Sequence, residues 1–327
     1  MIAPLAKLID WSAAQAATMW IPLANNQNPR LEEAITFLKG PEFNCDENQP
    51  ARIEFEPGET QVHFHFPTPR PGILVENNLA HGRLYRCAGR WQERPVIILL
   101  HGNSDSITYR FRYPRLARLC NRAGFNAATL VAPNHFQRRP RGAGRQNSLN
   151  CLQVAEAAAQ AVAEIRALTG WLLGQGCPAV ALWGISMGAW YAGMAACRDA
   201  RLNSVIMAVP GVRMNGLVER MSLRPGIRAR IPKVRERCEK LNLTALNLTI
   251  ARPIIPKDNI LLIEAVHDLF TPKENVEDLW HAWGQPSIWR LPHGHVSVST
   301  IGLVPGLTGR VLRWLAPRFE QGRKNKV

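Results

Sequence analysis

Several short apolar runs recur along the chain with helical patterns between them. Pro95 to Leu100 is a continuous run of β-branched residues and leucine, the type buried on both faces of a sheet. Phe125 to Val131 suits another buried strand, and the run from Ala179 into Gly184, Leu202 to Pro210, Ile260 to Val266 and Ser287 to Leu291 read as further strands. Between them, Tyr109 to Ala123 predicts a helix. Leu152, Ala155, Ala159, Val162 and Ile165 recur at helical spacing up to Gly170, and Met187 to Ala200 and Lys273 to Trp283 predict two further helices. Strand and helix in alternation predict a mainly parallel sheet joined by right-handed crossovers, with helices on both faces. Ahead of this core, Ala51 to Glu56 and Gln61 to Phe66 alternate apolar with polar residues and are bounded by Pro57-Gly58 and Pro67, so they read as an antiparallel pair. A third strand is expected over Leu79 to Cys87.

Two stretches fall outside this rhythm. Residues 1–50 read as an N-terminal helical and irregular extension, with a short helix around Leu31 to Leu38. Met1 to Ala24 contains Leu5, Leu8, Ile9, Trp11 and Trp20, but Lys7, Asp10, Gln15 and two prolines interrupt it. It lacks the unbroken apolar core of a signal peptide. A helix packed on its own domain through Trp and Leu is the expectation, and an amphipathic helix touching a membrane is the alternative. Within the remaining α/β domain, residues 51–327, an Arg- and Pro-rich insertion over 213–258 reads as a small lid. Arg220, Arg224, Arg228 and Arg230 within it could hold an anionic group or face solvent.

Charge widens the list of partners more than it decides among them. The formal net charge of +15 could favour anionic membrane surfaces, nucleic acid or an acidic substrate. Arginine runs at Arg110 to Arg115, Arg138 to Arg145 and Arg224 to Arg237 carry much of it, and solvated faces account for a good part. No nucleic-acid-binding module surrounds these runs, so nucleic acid is not the expected partner. The seven cysteines are odd in number, scattered and never paired as Cys-x-x-Cys, which points to reduced thiols in a cytoplasmic setting and to no zinc site. His63 and His65 share one strand face, but no Cys, Asp or Glu accompanies them at metal-ligand spacing.

The candidate chemistry lies at strand ends. Gly184-Ile185-Ser186-Met187-Gly188 is Gly-x-Ser-x-Gly between a strand and a small-residue helix, a turn that lifts a serine hydroxyl clear of the sheet edge. Ser186 is the candidate nucleophile. His101-Gly102-Asn103 follows the Pro95 strand, where a loop can supply one backbone N–H to an oxyanion and the residue after the serine supplies another. Asn103 and Met187 are the expected donors, with His101, Gly102, Gly184 and Gly188 shaping the turns. Gly102 is expected to let the backbone come close. The strand over Ile260 to Val266 ends in His267-Asp268, and the last strand ends in Pro292-His293-Gly294-His295. Asp268 and His295 are the expected acid and base; Glu264, Asp258 and His293 are the alternatives.

In these motifs the chain resembles the α/β-hydrolase superfamily, over roughly Pro95 to Leu315 and with the order serine, acid, histidine. Within it, His101-Gly102-Asn103 through Tyr109-Arg110, the Arg- and Pro-rich loop at Arg138 to Arg141, Gln146-Asn147-Ser148-Leu149 and the serine turn are similar to the alpha/beta hydrolase domain-containing protein 18 group. Asn134-His135-Phe136-Gln137 stands where that group has a Tyr-Tyr-Gly-type loop. The resemblance implies an esterase, lipase, thioesterase, amidase or acyltransferase, with no metal or organic cofactor. Cleavage of a small-molecule or lipid acyl ester through an acyl-enzyme is the leading expectation. An acyltransferase using the same triad, and a non-catalytic binding or scaffold protein, are the rivals.

Overall fold

The apolar runs assemble into one nine-stranded sheet. The structure is a computed structural model that describes residues 3–17, 30–40, 43, 50–56, 61–103, 106–140, 150–213 and 231–324. The strands are β1 (Glu54–Phe55), β2 (Gln61–Pro67), β3 (Leu79–Tyr85), β4 (Val96–Leu100), β5 (Asn126–Leu130), β6 (Val180–Ile185), β7 (Ser204–Ala208), β8 (Ile260–Ala265) and β9 (Ser287–Leu291). They lie in the order β1-β2-β3-β5-β4-β6-β7-β8-β9. The pairs from β1 to β3, and β3 with β5, are antiparallel; the rest of the sheet is parallel. Leu100 lies opposite Gly184, Ile185 opposite Ala208 and Ala265 opposite Leu291, so the loops after β4, β6, β8 and β9 leave one edge of the sheet together.

Ten helices are described: α1 (Ala3–Ala17), α2 (Leu31–Lys39), α3 (Ser106–Phe111), α4 (Tyr113–Arg122), α5 (Cys151–Gly174), α6 (Met187–Ala196), α7 (Ile231–Leu241), α8 (Lys273–Ala282), α9 (His295–Ser299) and α10 (Leu307–Lys324). The strand period of two sends alternate side chains of β4 into two cores. Val96, Ile98 and Leu100 join Leu168 and Leu172 of α5 and Ala192 of α6. Ile97 and Leu99 join Leu116 of α4 and Leu315 of α10 on the opposite face. Helices on both faces cover the central strands, as the continuous apolar runs require. Among the described residues no helix is long and apolar enough to cross a membrane.

Three helices differ from the sequence expectation. The helix over Tyr109 to Ala123 forms as α3 and α4, separated at Arg112, with Pro114 in the first turn of the second piece. Proline has no N–H to continue an α-helical ladder and its ring blocks the preceding turn, so it sits where a new helix starts. Helix α5 is capped reciprocally by Asn150 and Gln153 and runs past Gly170 to Gly174. Gly170 stays helical, and a Cβ there would lie 3.0 Å from Nη1 of Arg201 and 3.5 Å from Cα of Pro50, so close packing accounts for the glycine. Helix α1 presents the opposite face from the one expected. Ala6 and Asp10 are buried, whereas Leu5, Leu8 and Trp11 are exposed.

The arginine runs separate in the same way. Arg110 and Arg115 are exposed, but Arg138 is completely buried, forking onto Glu164 of α5 at 2.6 and 2.7 Å and donating to the carbonyls of Val131 and Asn77. Arg141 to Arg145, Gln146 to Leu149, and Arg220, Arg224, Arg228 and Arg230 lie outside the described residues. In the described part of the insertion, Cys238, Leu241, Leu246 and Leu248 are buried in the core that contains α6.

Candidate active site

Ser186 occupies the turn between β6 and α6 at φ 53° and ψ −113°. For a non-glycine residue that conformation costs about 1–3 kcal/mol and survives only where its surroundings enforce it. Here they do. The Ser186 N–H donates to Ala208 O at 2.9 Å, and its carbonyl accepts from Trp190 N at 3.1 Å. A Cβ on Gly184 would overlap the Gly188 carbonyl oxygen and lie 2.5 Å from Cα of Ala189, and one on Gly188 would overlap the Leu100 carbonyl and lie 2.7 Å from His101 O. Both glycines are therefore required by close backbone approach. Gly102 is different: a Cβ there would meet Ile185 O and Cβ of Ser186 at 3.6 Å, ordinary contact distance, so among the described residues no close approach requires glycine at that position.

His295 opens α9 after β9 and is 7% exposed. Its Nε2 lies 3.0 Å from Oγ of Ser186, and its Nδ1 lies 2.7 Å from Oδ2 of Asp268. Asp268 follows β8, buried, and its carboxylate is fully employed. Oδ1 accepts from the N–H of Phe270 at 2.6 Å and of Thr271 at 2.7 Å, and Oδ2 accepts from the Thr271 hydroxyl at 2.7 Å as well as from the imidazole. An acceptor-only carboxylate fixes the Nδ1–H tautomer, which leaves the Nε2 lone pair aimed at the serine proton. The Phe270 ring lies 4.9 Å from the imidazole, centroid to centroid.

The alternatives lie elsewhere. His293 is two residues earlier, its Nδ1 buried with no hydrogen-bond partner among the described residues and its imidazolium disfavoured by burial. Glu264 points from within β8 toward Glu277 and Arg290, and burial with the Glu277 charge pushes its carboxyl up to about 7. Asp258 precedes β8, at the end of the strand opposite Asp268.

The loop after β4 is stitched to the loop after β5. The N–H of Ala132 donates to Nε2 of buried His101 at 3.0 Å, so Nδ1 carries the proton and donates to Gly102 O at 2.8 Å. Both ring nitrogens are used by the neutral imidazole, and burial followed by the neighbouring His135 pushes its pKa down to about 3. His135 continues the network, with Nε2 2.9 Å from Oδ1 of Asn103. Asn103 thus stands in the turn after β4, beside the Ser186 turn through the Gly102 contact, and Met187 is the first residue of α6, where a backbone N–H has no intrahelical acceptor.

Two site residues carry no signal that singles them out in the sequence. Thr271 belongs to no motif, although a hydroxyl three residues after a candidate acid is a recognisable local partner. Asp10 enters only as a charge interrupting an apolar segment, yet it bonds the backbone of both Leu269 and His295. On β2, His65 lies 3.0 Å from Glu54 Oε2 and His63 is exposed. Among the described residues, no group of three or more His, Cys, Asp or Glu side chains could hold a metal.

Known proteins agree with this architecture. Residues 59–212 match the family model described as alpha/beta hydrolase domain containing 18, a span that includes Asn103, Ser186 and Met187 but not Asp268 or His295. An uncharacterised protein of Mycobacterium tuberculosis is 29% identical over 251 residues, covering 70% of this chain and 57% of the relative. The chain therefore spans little more than half the length of that curated relative. An acetyl xylan esterase from Paenibacillus superposes with a TM-score of 0.59 at 14% identity, covering 92% of this chain and 98% of the esterase. A Pyrococcus furiosus esterase superposes with a TM-score of 0.51 at 16% identity, covering 82% and 92%. The chain has the α/β-hydrolase fold, and its residues 59–212 are similar to the alpha/beta hydrolase domain containing 18 family.

Proposed function

We propose that the protein is a serine hydrolase that cleaves a carboxylic ester through an acyl-enzyme on Ser186. The observation that carries this is the relay from Ser186 Oγ to His295 Nε2 at 3.0 Å and from His295 Nδ1 to Asp268 Oδ2 at 2.7 Å. Oγ attacks the carbonyl carbon while its proton passes to Nε2, and the imidazolium that forms is stabilised by Asp268. The carbonyl oxygen becomes an oxyanion received by the backbone N–H groups of Met187 and Asn103, each such donor being worth about 3 kcal/mol of barrier. Nε2 then protonates the departing alkoxide, and a water deprotonated by the same nitrogen releases the acid.

A fluorophosphonate probe tests this directly, because it phosphonylates only an activated serine. Labelling of wild type that disappears in Ser186→Ala and in His295→Ala is the expected result. A folded wild type that fails to label would overturn the proposal. The small ester substrate is supported by the likeness in fold to esterases. We take residues 213–258 as the lid of the catalytic domain 51–327, since their described part is rooted on α6, the helix that begins at the nucleophile. The seven scattered cysteines favour a reducing, cytoplasmic compartment.

A membrane-facing version of this activity is favoured by one observation. Leu5, Leu8 and Trp11 lie three apart on α1, each about half exposed, on a chain of net charge +15. An apolar helical stripe on a cationic protein suits the interface of an anionic bilayer, where an acyl lipid would be the substrate. Sedimentation with phosphatidylglycerol vesicles but not with phosphatidylcholine vesicles, weakened by Leu8→Glu, is expected. Equal and negligible sedimentation with both would remove this version.

A further inference from the structure

The two loops that carry the acid and the base are joined by a second carboxylate, from the far end of the sequence. The ladder between β8 and β9 extends past the strands through Val266 N–H to Leu291 O and His267 N–H to His293 O. Beyond it, Asp10 of α1 takes over. Its Oδ2 accepts from Leu269 N at 3.0 Å and from His295 N at 2.7 Å, and its Oδ1 accepts from Val296 N at 3.0 Å. Leu269 directly follows Asp268, and His295 is the base itself. Asp10 is completely buried. Gly294 makes room for it: a Cβ at that position would lie 2.7 Å from Asp10 Oδ1 and 2.9 Å from Ala6 O.

We propose that Asp10 is a positioning residue for the catalytic triad, holding the backbones of the Asp268 and His295 loops at the separation that the imidazole must bridge. The inference rests on the serine-hydrolase reading. Hydrogen bonds from N–H groups to an ionised carboxylate are shorter and stronger than neutral ones. Three of them on one side chain hold the two loops together beyond the last backbone bond between them, that of His267 N–H to His293 O. Loss of this clamp lets Nε2 drift from Ser186, and a displacement near 1 Å costs about 100-fold in rate. Because the clamp touches no substrate, it acts on kcat and leaves KM unchanged.

The test compares full-length wild type, Asp10→Asn and Asp10→Ala in hydrolysis of p-nitrophenyl butyrate. Active sites are counted by fluorophosphonate labelling, folding is followed by circular dichroism, and the proton on His295 Nδ1 is observed by NMR. An isosteric amide can keep its oxygen toward Leu269 and His295 and lose only the Val296 bond. Asp10→Asn should therefore lower kcat per active site about 10-fold and Asp10→Ala about 100-fold, with KM unchanged and the His295 proton resonance shifted or lost. Folded variants with wild-type kcat per site would overturn the proposal, as would losses that only track the folded fraction. If Asp10→Ala does not fold, Asp10→Asn decides; if neither folds, Asp10 belongs to folding and the proposal falls. Should wild type neither label nor turn over, the hydrolase reading fails, and the NMR resonance still decides: unchanged in Asp10→Asn, it overturns the clamp, and displaced, it supports it.

Discussion

Asp268→Asn separates the chemistry of the acid from its structural duty. The substitution is isosteric, and the local bonding dictates how the amide must sit. Phe270 N–H and Thr271 N–H both point at Oδ1, at 2.6 and 2.7 Å, so the amide oxygen occupies that place. The amide nitrogen then stands where Oδ2 was, facing the Thr271 hydroxyl and His295 Nδ1, which were both donors at 2.7 Å. A hydroxyl can rotate to accept. The imidazole can accept only by giving up its Nδ1 proton, and the neutral ring then carries its proton on Nε2, directed at Ser186 Oγ 3.0 Å away. Every heavy atom stays, yet the base has become a donor.

A wrong tautomer in this arrangement costs about 10⁴ in kcat, or about 5 kcal/mol of barrier. Hydrolysis of p-nitrophenyl butyrate and the rate of fluorophosphonate labelling both read this, while thermal unfolding should show only a small change. Asp268→Ala provides the contrast. It also strips two half-buried amides of their acceptor, at up to about 1–3 kcal/mol each, so it should lose stability together with activity. Asp268→Asn that keeps more than about a tenth of wild-type kcat would refute the tautomer argument, since tautomer control demands a far larger loss.

Other perturbations test the scaffold around the site. Gly188→Ala drives a methyl into the Leu100 carbonyl and should cost about 1–3 kcal/mol or more and abolish labelling, whereas Gly102→Ala meets only 3.6 Å contacts and should unfold near the wild-type temperature; equal losses of melting temperature would contradict this. Glu264, held up to about 7 by burial and by Glu277, keeps its proton in the native state while the unfolded chain releases it near the ordinary value of 4.5. Stability contributed at position 264 should therefore fall as pH rises from about 4.5 to about 7 and then level off. Urea unfolding of Glu264→Gln across that window should lack this slope, and parallel profiles for the two proteins would exclude it. Arg138→Met leaves Glu164 buried and unpaired and should cost about 3–5 kcal/mol in urea unfolding, part of which Glu164→Leu in the same chain should restore; a loss under about 1 kcal/mol would show that the pair contributes little.

Much of this fold and site is legible in the sequence because the information is local. Continuous apolar runs locate β4 to β8 within a residue or two at most ends, since a strand covered on both faces admits few polar residues. The Gly-x-Ser-x-Gly turn is readable because both glycines answer to backbone atoms near in sequence or on the neighbouring strand. Asp268 and His295 follow from strand ends, and the rejected candidates fail for the same reason: Glu264 lies inside a strand and Asp258 at its wrong end. The helix break at Arg112 is also legible, in Pro114, but the apolar spacing around it masks the signal.

What is not legible depends on partners with no hydrophobic signature. Arg138 belongs to a basic run, and only the fold reveals that Glu164, 26 positions on, pairs with it away from water. His101 looks like part of a glycine turn, but its ring joins two loops through an amide at Ala132. Helix α1 is the sharpest case. A rule that buries the Leu and Trp face assumes an apolar partner, and the surface beneath α1 instead presents the N–H groups of Leu269, His295 and Val296. Backbone donors bound away from water demand an acceptor more strongly than exposed leucines demand burial, since an unsatisfied buried amide costs about 1–3 kcal/mol and a half-exposed leucine forgoes only part of its transfer energy. The helix accordingly turns its carboxylate inward and its apolar stripe outward, and one rotation gives it both the contact with the triad loops and an exposed apolar face.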